Sequence, residues 1–258
     1  MIMPIGDDNS GRTITPLVNY GLILANILVF VIFQGMGENE KFTYRFATVP
    51  EEIVTGKDMV TADRQVKEPI TGERITVPGL QPTPGSVYIT LLTSMFMHGG
   101  IAHILGNMLF LWIFGDNVED ALGHWRYLIF YVVCGVIASL AHVFLTVAVY
   151  GANSQEALVP SLGASGAISG VLGAYILLFP RRRVTVIMVR MLTQVPSYVA
   201  IGIWFVFQLV SGLGAFGGSS QGGGVAYAAH VGGFAVGLAL VKLFAPGRPP
   251  TSYQTQRY

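Results

Sequence analysis

A serine between glycines opens an apolar stretch in the middle of the chain. Ser165 lies within Gly163-Ala164-Ser165-Gly166, and the apolar run that follows ends at Phe179. In the first turn of a helix, a serine lies beside free backbone N–H groups and the positive end of the helix dipole, which stabilise a negative oxygen. A nucleophilic serine needs these surroundings. The structural alternative is a face of small residues for close helix packing.

A histidine in the last apolar stretch is the matching candidate base. His230 is followed by Gly233 and Gly237, and an ionisable residue inside a membrane segment is costly enough to indicate a function. The glycines would let two helix backbones approach until Ser165 hydrogen-bonds His230. The structural alternative is a neutral buried histidine bonded to a backbone carbonyl.

Helix geometry places the serine and the histidine at the same depth. Ser165 and His230 each lie fourteen residues before the end of their apolar runs, which is about 21 Å at a rise of about 1.5 Å per residue. In a hydrocarbon core of about 30 Å, both side chains would lie about 9 Å below the outer surface. We therefore predict that Ser165 and His230 form a catalytic pair.

Two polar residues on another stretch are candidate oxyanion donors. His103 and Asn107 are four residues apart and share one helix face, and Asn107 lies about 22 Å from the end of a helix that continues to Leu122. At that depth, a neutral amide or imidazole can stabilise an oxyanion by about 3–4 kcal/mol. Zinc binding by the histidines is the alternative, but neither an HExxH pattern nor a nearby cysteine supports it. We expect neither a metal nor another cofactor.

The composition predicts a protein that crosses a membrane several times. Of the 258 residues, 52% are hydrophobic and 11% are charged, and the mean hydropathy is +0.57. A soluble domain of this composition would expose too much apolar surface. The net charge of +1 and the absence of a basic stripe with aromatics give no reason to expect nucleic acid.

Six apolar stretches are predicted to form membrane helices, for which a span needs about 20 mostly apolar residues. They cover 17–34, 101–122, 126–150, 165–179, 195–213 and 226–244. A long polar loop over 35–86 follows the first of them, and the apolar stretch 87–97 is too short to span. The predicted organisation is an N-terminal segment over 1–16, a membrane domain over 17–245 and a tail over 246–258.

Lysine and arginine in the short loops predict the side on which the termini lie. The predicted second and fourth loops, both termini and the flanking span ends carry these residues, including the cluster Arg181–Arg183, whereas the third and fifth loops carry none. The positive-inside rule then places both termini in the cytoplasm. We expect a multi-pass protein of a prokaryotic plasma membrane.

These motifs resemble those of the rhomboid family of intramembrane serine proteases. The resemblance covers about 12–245 and rests on residues from separate spans, in the family's order: His98, His103, Asn107, Gly163, Ser165, Gly166, His230, Gly233 and Gly237. It implies an all-α membrane protein with a six-transmembrane-helix bundle. It also implies Ser165 as nucleophile, His230 as general base, and His103 and Asn107 as oxyanion donors together with the Ser165 N–H. Glu119 resembles an acidic residue with a structural hydrogen-bonding role.

Two positions depart from the family's pattern. Many members have Trp-Arg nine residues before the first histidine, where this chain has Ile89–Thr90, so the loop needs a different anchor. Some members stack an aromatic ring on the histidine from four residues after the nucleophile, where this chain has Ser169. Tyr227 and Ser169 are the candidates to orient His230 instead. No acid completing a triad is apparent, in agreement with the dyad that the resemblance implies.

The resemblance implies an endopeptidase that cleaves transmembrane segments of other proteins near the outer face, through an acyl-enzyme on Ser165. The expected partners are transmembrane protein substrates and the lipid bilayer. No motif indicates which protein is cut or how many copies of the chain assemble. The alternative is a catalytically silent rhomboid-like protein that binds transmembrane helices. Such proteins typically lack the serine or the histidine, whereas this chain has both.

Overall fold

The structure of the chain, a computed structural model, describes residues 2–67, 74–188, 191–216 and 223–245. Most of these residues are helical, and the long helices pack side by side into a bundle. In chain order the helices are α1 (Leu17–Leu28, continued by a π-helical turn over Val29–Phe33), α2 (Glu40–Phe46), α3 (Pro50–Thr55), α4 (Thr90–Thr93), α5 (Ile101–Leu122), α6 (His124–Tyr150), α7 (Ser165–Leu178), α8 (Ser197–Phe216) and α9 (Gly223–Phe244).

Three helices in the described ranges are long and apolar enough to cross a membrane. They are Ile101–Leu122, His124–Tyr150 and Tyr227–Phe244. The apolar helices Leu17–Phe33, Ser165–Leu178 and Ser197–Val210 are shorter. The mostly helical membrane fold therefore agrees with the sequence, while the count of six spans stays a prediction. The predicted tail over 246–258 lies outside the described residues.

Glycines set the ends of the helices that surround the site. α5 ends and α6 begins on either side of Gly123, which has a φ of 79°, and α6 ends at Gly151, with a φ of 90°. Glycine adopts such left-handed backbone without the steric cost that a Cβ would bring. α7 is followed by Pro180, which lacks a backbone N–H and cannot extend the helix.

α7 lies in the middle of the bundle, in contact with α5, α6, α8 and α9. Its residues from Gly166 to Tyr175 are all buried. The approach of α9 is close enough to exclude any side chain: a Cβ on Gly233 would lie 2.1 Å from the Gly166 carbonyl oxygen, and one on Gly237 would lie 2.0 Å from the Gly170 oxygen. Dispersion contacts over this interface stabilise the helix pair without large side chains.

The structure also contains strands, so the all-α prediction needs a correction. The strands are β1 (Ile2–Asp7), β2 (Arg64–Lys67), β3 (Arg74–Val77), β4 (Arg183–Met188) and β5 (Met191–Pro196). One antiparallel sheet has the order β1-β4-β5, and β2 pairs with β3 in the long loop after α1. In β4, Val184 and Val186 are fully buried while Arg183 is exposed, an alternation with the period of a strand.

A polar cluster joins β1 to the ends of α5 and α7 that lie away from Ser165. The Tyr175 hydroxyl donates to Asp7 Oδ2 over 2.5 Å, and Asn117 Nδ2 donates to the same oxygen over 2.8 Å. Burial is the largest influence on the Asp7 carboxyl and raises its pKa to about 7. The predicted N-terminal segment over 1–16 therefore contributes a strand that packs against the bundle.

Candidate active site

Ser165 and His230 meet across the interface between α7 and α9. Ser165 is the first residue of α7, and its Oγ lies 2.8 Å from His230 Nε2. The other ring nitrogen, Nδ1, lies 2.9 Å from Oε1 of Gln208 on α8. With an acceptor at Nδ1, the neutral imidazole carries its proton on that nitrogen, so the lone pair of Nε2 faces the serine hydroxyl. This tautomer can accept the serine proton.

The turn before α7 is fixed by backbone contacts to the preceding loops. Gly163 has a φ of 123°, and its N–H donates to the Ser94 carbonyl over 2.9 Å. Two residues earlier, Ser161 exchanges two backbone hydrogen bonds with Thr48, of 2.8 and 2.9 Å. These contacts place Ser165 at the helix N-terminus, where the free N–H groups and the helix dipole favour negative charge.

His103 presents a ring N–H to the same space. The Gly99 N–H lies 3.3 Å from His103 Nδ1, so this nitrogen accepts and the proton of the neutral ring lies on Nε2. A Cβ on Gly163 would lie 3.0 Å from His103 Nε2 and 3.6 Å from Ser165 Oγ. Glycine at position 163 therefore keeps the space open in which an oxygen could accept from His103.

Asn107 offers a second donor. It is buried on α5, and its Nδ2 has no hydrogen-bond partner among the described residues. A buried amide without a partner costs free energy unless another group accepts from it. Asn107 lines a cavity of about 240 Å³ together with Ser165, His230 and Trp204. A second cavity of about 140 Å³ is lined by His103, Gly163 and Ser165.

His98 lies behind His103. Its side chain is fully buried, and the two rings meet edge to face with centroids 5.1 Å apart. Gln34, at the end of the first apolar stretch, exchanges two 2.9 Å hydrogen bonds with the His98 backbone. The structure therefore brings the His98 ring against the ring of His103, and His103 is the histidine that lines the cavities beside Ser165.

A threonine ties the long loop to the site where the resemblance led us to expect a different anchor. Thr48 Oγ1 lies 2.9 Å from both the Thr90 carbonyl oxygen and Ser94 Oγ. Thr90 stands at one of the two positions that depart from the family's Trp-Arg pattern. Because Thr48 also pairs with Ser161, a single residue joins the loop, the segment before α5 and the approach to Ser165.

Glu119 lies far from the serine, at the other end of α5. Its carboxylate accepts from the backbone N–H of Val18 at 3.0 Å and of Asn19 at 2.7 Å, and it also contacts the His124 ring. These bonds satisfy free N–H groups in the first turn of α1. Glu119 therefore fixes α1 against α5 and is not brought to Ser165.

Gln208 and Trp204 are site residues that sequence reasoning missed. Of the two residues expected to orient His230, Ser169 Oγ donates instead to the Ser165 carbonyl over 2.6 Å, and the Tyr227 ring meets the imidazole edge to face at 6.2 Å. The Trp204 ring also lies 6.2 Å from the imidazole. The missed signal was a single amide in the otherwise apolar stretch 199–210.

The comparison with protein families identifies the family of the chain. The model of the Rhomboid domain matches residues 85–247, which is more than half of the chain and includes every residue described above from α5, α7, α8 and α9. The chain belongs to the rhomboid family.

Individual relatives share parts of the chain. It is 33% identical over 151 residues to "Rhomboid protein 1, mitochondrial" of Saccharomyces cerevisiae, which covers 58% of this chain and 40% of the relative. It is 40% identical over 84 residues to "Rhomboid protease GluP" of Bacillus subtilis, covering 33% and 14%. The human "Presenilin-associated rhomboid-like protein, mitochondrial" is 34% identical over 103 residues, covering 40% and 26%. The matches thus span less than half of these relatives.

The names of two of these relatives contradict the predicted location. The yeast and human proteins are named as mitochondrial, so the expectation of a prokaryotic plasma membrane is wrong. The reason is that the arginine pattern in the loops distinguishes the two sides of a membrane but does not identify the membrane.

Proposed function

We propose that the protein is an intramembrane serine endopeptidase that cuts transmembrane segments of other membrane proteins. The observation that carries this proposal is the 2.8 Å contact between Ser165 Oγ and His230 Nε2 at the N-terminus of a helix. A structural packing role would not require a serine hydroxyl aligned with an imidazole lone pair and two further donors beside it. Membership of the rhomboid family and one relative named as a protease support the same conclusion.

In the acylation step, Ser165 Oγ attacks the scissile carbonyl carbon while its proton passes to His230 Nε2. The carbonyl oxygen becomes an oxyanion, which can accept from His103 Nε2–H, Asn107 Nδ2–H and the Ser165 backbone N–H. The C–N bond then breaks, and His230 returns the proton to the departing amine. The products of this step are a free amine segment and an ester on Ser165.

In the second step, water attacks the ester carbonyl and gives its proton to His230 Nε2. The tetrahedral intermediate collapses, the C–O bond to Ser165 breaks, and the serine oxygen recovers its proton from His230. The cavities of about 140 and 240 Å³ beside the serine provide space for the acyl group and for water. No residue other than those named needs to transfer a proton.

The depth of the site determines which segments can be cut. Ser165 lies at the end of α7 opposite the sheet formed by β1, β4 and β5, so cleavage falls near one face of the membrane. A helical substrate shields its peptide bonds, and unwinding it in lipid leaves polar groups unsatisfied at a cost of several kcal/mol each. Segments with helix-breaking residues near that face are therefore the favoured substrates.

The names of the yeast and human relatives support a mitochondrial membrane as the location. Fractionation of the source cells, followed by detection of the chain in isolated organelles, tests this part of the proposal.

The enzymatic function is tested by cleavage of a model transmembrane substrate in liposomes. We expect wild-type protein to cut it, and Ser165→Ala and His230→Ala each to abolish cleavage. The thermal unfolding transition should be kept, because the first change removes a single oxygen and the second enlarges a cavity that His230 already lines. Activity above about one per cent in either variant would refute the assignment. Substrate binding by folded wild-type protein without cleavage would favour the silent helix-binding alternative.

A further inference from the structure

We propose that Gln208 is the positioning residue of His230, so that Ser165, His230 and Gln208 form a triad whose third member is neutral. This inference rests on the proposed function. The geometry forms a continuous line: Gln208 Oε1 lies 2.9 Å from His230 Nδ1, and His230 Nε2 lies 2.8 Å from Ser165 Oγ. Gln208 itself does not contact the serine hydroxyl in this line and acts through the imidazole.

Gln208 is held firmly enough to perform this role. Its exposed fraction is 8%, on a helix whose neighbouring residues Phe207 and Leu209 are much more exposed. Trp204, four residues earlier on the same face of α8, contacts both the imidazole and the Phe234 ring. An amide in this apolar stretch is costly unless it is hydrogen-bonded, and its bond to His230 satisfies the oxygen.

An amide suits this place better than a carboxylate. An acceptor at Nδ1 fixes the tautomer in which Nε2 is free to take the serine proton, and either group provides one. A carboxylate would also bring a charge into the membrane interior, which is costly, so a carboxyl at this place would stay protonated and accept through its carbonyl oxygen. A neutral acceptor orients the ring without that cost, as the asparagine of a Cys-His-Asn site does.

The glutamine also explains how the site tolerates Ser169. A ring at position 169 could orient the imidazole from α7, but the Ser169 hydroxyl is occupied by the Ser165 carbonyl. Orientation instead comes from α8, which packs against α9. The position of the catalytic ring therefore depends on three helices: α7 holds the serine, α9 carries the histidine and α8 carries its acceptor.

The test compares two substitutions of similar size with opposite chemistry. Gln208→Met fills the space but cannot accept a hydrogen bond through oxygen, whereas Gln208→Glu keeps an oxygen acceptor at the same reach in either protonation state. For Gln208→Met we expect kcat to fall about 10- to 100-fold, which is the loss seen when the hydrogen-bond partner that orients a metal-bound histidine is removed. KM should change by less than about twofold. Gln208→Glu should stay within about threefold of wild type. Val210→Met, on the exposed side of α8, is the matched control and should behave as wild type.

A packing role predicts the reverse order, with methionine tolerated and glutamate damaging, and that result would overturn the inference. Equal activity of all variants would overturn it as well. If Gln208→Met does not fold, Gln208→Leu provides a second variant without an acceptor. Failure of the proposed function itself is visible separately, because wild-type protein would then show no serine-dependent reaction with a fluorophosphonate probe.

Discussion

Replacing Gly233 with alanine tests whether the close approach of α7 and α9 creates the site. The added Cβ would lie 2.1 Å from the Gly166 carbonyl oxygen and 3.3 Å from the Ala138 Cβ. A carbon and a carbonyl oxygen are in ordinary contact at about 3.4 Å, so the two helices must separate by about 1.3 Å at this level. Overpacking of this kind costs about 1–3 kcal/mol of folding free energy.

The same displacement falls next to the proposed catalytic pair, because Gly166 follows Ser165 directly. A contact of 2.8 Å between Ser165 Oγ and His230 Nε2 would lengthen towards about 4 Å, beyond the range of a hydrogen bond. A misplacement of about 1 Å can reduce the rate of an enzyme by about 100-fold. We therefore expect Gly233→Ala to lower both the unfolding temperature and kcat, and Gly233→Leu to lower them further.

Gly202→Ala is the matched control, because it makes the same chemical change on α8 where a Cβ would meet nothing within 4 Å. Alanine is the better helix former by up to about 1 kcal/mol, so this variant should keep full activity and equal or higher stability. Substrate cleavage in liposomes and thermal unfolding in detergent give the two readouts. If Gly233→Ala matches Gly202→Ala in both, the close-approach argument is wrong.

Three further predictions concern other parts of the molecule. Asn107→Leu keeps the volume but removes a donor, so single-turnover cleavage should slow by about 100-fold; an unchanged rate would remove Asn107 from the oxyanion site. Burial raises the pKa of the Asp7 carboxyl from its ordinary 3.8 to about 7, so ionisation of Asp7 opposes folding. As the pH rises from 4 to 8, the stability of the wild type should therefore fall by up to about 4 kcal/mol relative to Asp7→Asn. Parallel curves of thermal unfolding against pH for the two proteins would contradict this prediction. We expect cleavage of model substrates that carry glycine, proline or polar residues in the third of the span nearest Ser165 and a small residue before the cut. Leucine at those positions should protect the substrate. Equally fast cleavage of a polyleucine span, measured by mass spectrometry of the products, would contradict the unwinding argument.

The long helices and the contact between Ser165 and His230 were accessible from sequence because single, local signals determine them. Apolar length and glycine stops predicted Ile101–Leu122 with the bounds that the structure has. Counting residues from the helix ends placed Ser165 and His230 at one depth, and the structure has them 2.8 Å apart. Straight helices packed through glycines leave little freedom in relative height, so this arithmetic is reliable for such a bundle.

The strands and the acceptor of His230 were not accessible because they depend on partners distant in sequence. β4 pairs with β1, which lies about 180 residues earlier. The alternating valines of β4 directly follow the cluster Arg181–Arg183, which the sequence analysis used only to predict the sides of the membrane. Gln208 is one amide in an apolar helix, and only the rotation of α8 about its axis decides whether it faces the imidazole or lipid. Helix rotation is set by packing and cannot be counted along the chain.

The most direct test of the central claim is to identify the serine that a fluorophosphonate modifies, by mass spectrometry of the protein treated in detergent. The stretch around the site contains Ser161, Ser165 and Ser169, so two neighbouring serines serve as internal controls. We predict an adduct on Ser165 alone, lost in His230→Ala because the serine is then no longer activated. An adduct on another serine, or none on folded wild-type protein that still cleaves its substrate, would contradict the assignment of Ser165 as the nucleophile.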